Sequence, residues 1–516
     1  MRLAELEDPS VLILGLGVEG RSTWRYLRAA YPEKTLGVAD RLSLEKLPPE
    51  TKQLIERDSR IRLHLGDGYL GSLADYEVIV KSPGIPVTCS AYRRALAAGK
   101  HVISHTALFL ANFTGTVIGV TGTKGKSTTA SLLHSIIKSE FPNARLVGNI
   151  GVPPLDLLPL LEGIRQQGTG SGEQEKGSRP QVSNRIEETI FSPRPLASSP
   201  PDPAAPIVVY ELSSHQLVGL RRSPHIAVLL NIVPEHLDYY ETFEQYVAAK
   251  ENITRFQTVR DFLVYDFDHE LPRQIAGRSK AKVVACSLIQ AGRSVPTCYL
   301  FEDSIVFRSE SVEEKLVAVR DIRLLGKFNL INVAAAVAAA RLAGVPAPKI
   351  APAVRNFQPL EHRLEHVGAY GGVTYYNDSI ATVPEATIAA LDALGNDVET
   401  VLLGGMDRGL DFTGLAMRLL GSSIKTVILF PPSGVRIWNA ISEQATTISA
   451  LPQHFFANTM EEAVRIAQAQ TGKGKICLLS PASPSFGLFR DYRERGEAFK
   501  RLVRNGERAR EAEREG

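Results

Sequence analysis

Cysteine is scarce in this chain: four among 516 residues, Cys89, Cys286, Cys298 and Cys477. They are scattered without C-x-x-C spacing, so neither a zinc site nor a disulfide framework follows, and a reducing cytoplasm is the expected setting. Missing too is any run near the ~18 apolar residues of a membrane span. The opening MRLAELEDPSV carries acidic residues before a short apolar run, unlike a secretory leader. A cytoplasmic chain without membrane insertion is expected. An excess of one charge is also lacking: 59 Lys and Arg against 56 Asp and Glu give no reason to expect a nucleic-acid partner. With 44% hydrophobic and 22% charged residues, the composition is that of a soluble globular protein, and the length suggests about three domains.

The most informative stretch is Val117 to Thr129, VIGVTGTKGKSTT. β-Favouring residues lead into Thr121-Gly122-Thr123-Lys124-Gly125-Lys126-Ser127. From Thr128 to Lys138, apolar Leu132, Leu133, Ile136 and Ile137 recur at helical spacing. Glycines at 122 and 125 let backbone amides and a helix N-terminus converge on one anion, while Lys126 adds a point charge and Ser127 a hydroxyl for Mg²⁺. The generic G-x-x-x-x-G-K-[ST] pattern needs glycine at 120, where valine stands, so the loop is the variant TGTxGKS. Its expected ligand is a nucleoside triphosphate.

Upstream, strand Val11 to Leu14 runs into Gly15-Leu16-Gly17-Val18-Glu19-Gly20, a G-x-G-x-x-G turn, and a helix through Leu27. Strand Leu36 to Asp40 follows about twenty residues on, with its acidic residue last. This Rossmann-like unit suits a nucleotide or diphosphate, close packing being the alternative, and NAD is not implied. Strand Glu77 to Lys81 ends in Ser82-Pro83-Gly84-Ile85-Pro86, a structural corner or a ligand loop. His101 to Ser104 is a further strand, closing a domain over 1–112.

A second domain, 113–357, opens with the phosphate loop. Within it 163–206, dominated by Gly, Ser, Pro and charge, reads as a largely disordered surface insertion without a catalytic role. Strand Ile207 to Tyr210 delivers Glu211-Leu212-Ser213-Ser214-His215-Gln216, and strand Ala227 to Asn231 delivers Pro234-Glu235-His236-Leu237-Asp238, both at the rim where α/β sheets place ligand contacts. Lys250 falls in a helix, Phe243 to Phe256, where a solvated lysine is the ordinary reading. Asn329 and Asn332 sit where an Ala-rich helix, Asn332 to Ala343, begins, as caps or as amides facing a nucleotide. In a third domain, 358–516, strands Val373 to Tyr376, Thr400 to Leu403 and Lys475 to Leu479 each enter a polar turn, the mark of a doubly wound sheet. The charged tail from Glu507 is expected to fray.

In order, GLGVEGRS, SPGIP, TGTKGKST, NIG at 149 to 151, ELSSHQL, HLDYY, AAK ending at Lys250, GKFNLIN, EHR, NDS, GGMDRGLDF and LLSPASPSF resemble the Mur ligase family, over almost the whole chain except the insertion and tail. The resemblance implies an α/β fold of three domains: N-terminal Rossmann-like for a UDP-sugar, central P-loop ATPase-type, and C-terminal Rossmann-like for an amino acid. It implies a monomeric ligase that uses ATP to join D-glutamate to UDP-N-acetylmuramoyl-L-alanine through an acyl phosphate, in cytoplasmic peptidoglycan precursor synthesis. Val18, Glu19, Asp40, Arg41, Ser82, Pro83 and Gly84 would then contact the uridine diphosphate, and Asn149, Ser213 and Gln216 the muramoyl-alanine end. Gly122, Thr123, Lys124, Gly125, Lys126, Ser127 and Thr128 would cradle ATP, with Asn329, Asn332, Arg363 and Asp378 positioning the nucleotide. Of two Mg²⁺ ions, Ser127 and Glu211 would hold one, and His236 with a CO₂-derived carbamate on Lys250 the other. Thr382, Arg408, Ser485, Phe486 and Tyr492 would take the amino acid.

Some positions depart from the family pattern. Ile380 replaces the lysine of NDSKAT, Phe328 a histidine or similar polar residue, and Gly487 a frequent acidic residue. Arg408 replaces a lysine but keeps the charge and can clamp a carboxylate with two N–H groups. Because one carboxylate partner is gone at 380, a related ligase using another amino acid such as L-Glu is the alternative. A folylpolyglutamate-synthase-like ligase would lack the N-terminal UDP domain. An NAD-dependent oxidoreductase would leave the phosphate loop without a task. An inactive binding protein would have no use for Lys126, Ser127, Glu211, His236 and Lys250 together.

Overall fold

The computed structural model describes residues 1–86, 88–159, 206–235, 239–289, 295–309 and 313–515, with 506–515 described by backbone alone. The proposed insertion, apart from Pro206, and the stretch from His236 to Asp238 lie outside these residues. Among the described residues no helix is long and apolar enough to cross a membrane.

Short apolar runs build the first sheet from β1 (Val11–Leu14), β2 (Leu36–Asp40), β3 (Ile61–Leu65), β4 (Val78–Lys81) and β5 (His101–Ser104), ordered β3-β2-β1-β4-β5 and all parallel. Every residue of β1 and β4 is buried, as the centre of a sheet covered on both faces requires. The strand order reverses between β1 and β4, so the Gly15 to Gly20 turn and the Ser82 to Pro86 turn open on the crevice between them.

A second sheet holds β6 (Thr116–Thr121), β7 (Arg145–Gly148), β8 (Ile207–Glu211), β9 (Ile226–Leu229), β10 (Phe262–Asp266), β11 (Lys282–Ser287), β12 (Thr297–Phe301), β13 (Ser304–Arg308) and β14 (Glu313–Ala318). Their order is β14-β13-β12-β11-β10-β9-β6-β8-β7, parallel from β6 to β12, with β13 and β14 antiparallel at the edge. Because β6 lies between β8 and β9, the phosphate loop, Glu211 and the loop from Leu230 leave the sheet side by side. These two sheets share one compact unit, residues 1–321 with 331–355. One apolar cluster runs through both, with the Phe109 ring edge-on to Tyr210 of β8.

The other unit, residues 322–330 with 356–516, carries β15 (Glu365–Tyr370), β16 (Val373–Asn377), β17 (Val398–Gly404), β18 (Thr426–Phe430), β19 (Gln453–Phe456) and β20 (Ile476–Leu479), ordered β15-β16-β20-β17-β18-β19. Only β15 is antiparallel to its neighbour.

Three expected helix boundaries are corrected. The helix from Phe243 ends at Glu251, not Phe256. Ser223 Oγ there accepts the Phe256 N–H at 3.0 Å, diverting a donor that a continued helix would use. The Ala-rich helix begins at Lys327, so Asn329 and Asn332 lie inside its first turns and do not cap it. The last helix runs Tyr492–Glu515, through the tail expected to fray, where Glu, Arg and Ala are all strong helix formers.

Candidate active site

The phosphate loop is built by backbone conformations that only glycine supplies cheaply. Gly122 has φ 156° and Gly125 φ 84°. A Cβ on Gly122 would stand 2.6 Å from Leu230 Cβ, and one on Gly125 2.2 Å from Asn332 Oδ1. The helix Lys126–Lys138 starts immediately after Gly125, which puts its N-terminus at the end of the loop. Thr121 Oγ1 donates to Leu212 O at 2.7 Å, tying the loop to the exit of β8. Thr123 Oγ1 lies 2.9 Å from the Tyr246 hydroxyl, and Lys124 pairs with Glu235 at 2.6 Å. The Thr128 hydroxyl is buried without a hydrogen-bond partner.

Charge gathers where that loop ends. Lys126 Nζ donates to Gly122 O at 3.0 Å and Thr123 O at 2.8 Å. Ser127 Oγ donates to Glu211 Oε1 at 3.1 Å, and Glu211 is buried. Hydroxyl and carboxylate oxygens beside a phosphate cradle are a donor set suited to Mg²⁺. Lys250 is not a solvated lysine: it is 1% exposed, its Nζ donates to Gly122 O at 2.7 Å, and it lies 4.8 Å from the Tyr246 ring centre. Burial first, and Lys126 second, hold its pKa well below the ordinary lysine value against the pull of Glu235. The amine is thus biased toward its neutral, nucleophilic form.

A cleft of about 250 Å³ brings together residues expected at different ends of the site: Pro83, Lys126, Asn149, Ser213, Ser214, His215, Tyr246 and Lys250 line it. Asn149 follows β7, where a Cβ on Gly148 would strike Glu211 O. Tyr246 went unnoticed in the sequence, although it stands four residues before Lys250 on one helix face. Lys81 went unnoticed too; its buried Nζ donates to Ser82 O and Ile85 O, bracing the SPGIP turn. His236 lies outside the described residues.

Around the first glycine turn, Asp40 spends both oxygens on backbone, accepting Leu16 N–H at 2.6 Å and Leu42 N–H at 2.9 Å. Ser82 Oγ donates to Gly15 O at 2.8 Å, while Val18, Arg41 and Gly84 are exposed. Glu19 Oε1 accepts from Gln216 Nε2, and its buried Oε2 has no hydrogen-bond partner. Gln216 Oε1 in turn accepts from the Ser213 N–H and hydroxyl.

Burial pushes the Glu19 pKa up from 4.5 to about 7, with Gln216 and Lys81 opposing. The native state therefore keeps this proton where the unfolded chain has lost it. Stability contributed here is full below pH 4.5 and declines as pH rises to about 7, by roughly 2 to 3 kcal/mol. Glu19→Gln has nothing to ionise, so it is expected to gain on the parent protein between pH 5 and pH 8. Urea denaturation at both pH values measures this; an unchanged difference between variant and parent would refute it.

In the second unit, β20 lies between β16 and β17, which brings the loops after all three to one end of the sheet. Asp378 is buried, accepting Leu364 N–H at 3.2 Å and the Ser480 hydroxyl at 2.8 Å. Its pKa is pushed up to about 7 by burial, against Ser480 and Arg363. Arg363 has a buried Nε without a hydrogen-bond partner. Thr382 is half-buried, Ser485 buried, and Arg408 and Phe486 exposed; Tyr492 sits edge-on to His362. Asn329 is buried with its Nδ2 donating to Leu325 O at 2.6 Å.

Three family models match this chain: Mur ligase MurD-like, N-terminal domain, over 9–104; Mur ligase middle domain over 120–340; and Mur ligase, glutamate ligase domain, over 362–483. A protein of Symbiobacterium thermophilum named UDP-N-acetylmuramoylalanine--D-glutamate ligase is 34% identical, the match covering 95% of this chain and 97% of the relative. One of the same name from Koribacter versatilis is also 34% identical, over 97% of this chain and 98% of its own. Among solved structures, UDP-N-acetylmuramate-alanine ligase MurC of Thermotoga maritima shares the fold with a TM-score of 0.54 at 16% identity, covering 97% of this chain and 100% of that one.

Proposed function

The chain belongs to the Mur ligase family, and from that premise we propose that it joins D-glutamate to UDP-N-acetylmuramoyl-L-alanine in the cytoplasm, converting ATP to ADP and phosphate. The observation that carries this reading is the single cleft shared by Lys126 of the phosphate loop, Asn149 and Ser213 on the acyl-donor side, and the buried Lys250.

The chemical difficulty is that the donor carboxylate and the γ-phosphate are both anions, so the reaction depends on positioning and charge neutralisation. Loop amides and the helix N-terminus would hold the β- and γ-phosphates, and Lys126 would swing its charge from the loop carbonyls onto the γ-phosphate. A carboxylate oxygen of the donor bonds to the γ-phosphorus as the bond to the β–γ bridging oxygen breaks, leaving an acyl phosphate and ADP. The ammonium of glutamate gives one proton to water, its neutral nitrogen attacks the acyl carbon, and the tetrahedral intermediate collapses to the amide as phosphate departs and a second proton passes from nitrogen to water. Ser127 and Glu211 would hold one Mg²⁺, and His236 with a carbamate on Lys250 a second; bound there, the ions withdraw charge from the phosphate oxygens. The depressed pKa of Lys250 fits that assignment, because only a neutral amine adds CO₂ and only the resulting carbamate offers an anionic oxygen.

Val18, Asp40, Arg41 and the Ser82 to Gly84 turn would shape the uridine diphosphate site, with Asp40 acting by fixing the glycine turn and Glu19 by orienting Gln216 and Ser213. Thr382, Arg408, Ser485, Phe486 and Tyr492 would take the amino acid, Arg408 as its carboxylate clamp. Asn329, Asn332, Arg363 and Asp378 would position the nucleotide.

Phosphate release is expected only when ATP, UDP-N-acetylmuramoyl-L-alanine and D-glutamate are all present. Running D-Glu, L-Glu and other amino acids side by side tests the assignment at its weakest residue, Ile380. Preference for L-Glu would move the amino acid, and turnover without any UDP-sugar would overturn the role of the first sheet.

A further inference from the structure

We infer that Arg495 is a positioning residue that sets the amino-acid loops of the third sheet in register, an inference resting on the proposed roles of Thr382, Arg408, Ser485 and Phe486. Arg495 is the fourth residue of the helix Tyr492–Glu515 and is 1% exposed. Its Nε donates to Ser379 Oγ at 3.0 Å, its Nη2 to Ser379 O at 2.7 Å, and its Nη1 to Ser483 O at 3.0 Å. Ser379 Oγ donates onward to Tyr492 O at 2.7 Å, closing the ring back onto the same helix. One guanidinium thereby joins the loop after β16, which leads to Thr382, to the loop after β20, which leads to Ser485 and Phe486.

The loop after β17, which leads to Arg408, is drawn into the same arrangement. Met406 N–H donates to Pro484 O at 2.9 Å and Gly404 N–H to Pro481 O at 2.7 Å. A Cβ on Gly405 would lie 2.3 Å from Pro484 O and 3.2 Å from Arg495 Nη1, so the close approach requires glycine there.

Helix anchoring alone does not account for a cation in this place. Phe499 and Val503, four and eight residues on, continue the buried stripe with fully covered apolar side chains, which hold a helix to a sheet without the cost of desolvating a charge. What Arg495 adds is a planar fork of N–H donors with fixed directions, aimed at loop oxygens.

Steady-state kinetics of the full-length enzyme tests this. Arg495→Lys keeps the charge but loses the fork, and is expected to raise KM for the amino acid about tenfold while KM for the UDP-sugar stays within about twofold; because Arg495 also neighbours the buried Asp378, the ATP KM is expected to rise less than that of the amino acid. Ser379→Ala removes the two bonds its hydroxyl makes, from Arg495 Nε and to Tyr492 O, and should move the amino-acid KM the same way by about threefold; it carries the test if the lysine variant does not fold. Phe499→Leu loosens the same helix without touching the loops, so it should lower the melting temperature and leave the amino-acid KM unchanged. An equal rise in all three KM values for Arg495→Lys, or no rise for the amino acid, overturns the inference. Arg408→Ala separates the two levels: if that variant leaves the amino-acid KM unchanged, the assignment of the loops themselves is wrong.

Discussion

Lys250→Ala is expected to lower turnover about a thousandfold, the loss of about 4 kcal/mol of transition-state stabilisation, and to regain part of it when acetate is added. Lys250 is buried against Gly122 O and the Tyr246 ring, beside Lys126. An ammonium there would add a second positive charge to a site proposed to bind Mg²⁺. A carbamate would reverse that sign, and alanine would leave a space beside the loop in which a small carboxylate could stand for the missing oxygens. Lys250→Arg provides the contrast, since guanidinium stays charged and adds no CO₂; it should be as inactive as the alanine variant, and acetate should not help. Stripping CO₂ from the buffer is expected to depress the parent enzyme, with bicarbonate restoring it. Activity close to the parent in Lys250→Arg would end the carbamate assignment.

The same neighbourhood shows which parts of the molecule local sequence can reveal. The Val11 to Leu14 and Leu36 to Asp40 strands have the bounds their apolar runs implied, because a strand buried on both faces leaves an unbroken signature. Glycines 122 and 125 were legible for a similar reason: each meets a positive φ and a steric limit that no other residue tolerates. The end of the Phe243 helix was not legible, since Ser223, far upstream, helps set it. For Lys250 the residues alone suggested solvation. Its burial comes from a carbonyl 128 positions earlier and from Tyr246, contacts that exist only once β6 and the helix after Thr242 are side by side. Glu19, which the family resemblance assigns to the diphosphate, joins its carboxyl to Gln216, and Gln216 meets Ser213 in the cleft. That path joins two segments whose separation in the chain hides it.

Glu211→Gln is expected to cut turnover at least about a hundredfold, a loss of about 3 kcal/mol in the transition state, without destabilising the protein. Glu211 is the last residue of β8, 2% exposed, with Oε1 receiving the Ser127 hydroxyl. Glutamine matches its shape and can still accept that hydrogen bond, so packing at the strand end is retained. The variant loses the negative charge, and burying a carboxylate carries a desolvation cost that a neutral amide does not. Removing it should therefore leave the melting temperature equal or higher, even as the protein's hold on Mg²⁺ weakens. In a Mg²⁺ titration of kcat, half-saturation should shift to higher concentration in Glu211→Gln and also in Ser127→Ala. Combining the two should cost less than the sum of the separate losses, because on the proposed assignment both groups would serve one ion. A variant that melts well below the parent would mark Glu211 as structural. One that keeps the parent's Mg²⁺ dependence would remove it from the metal site, and with it the assignment of the loop's hydroxyl as its partner there.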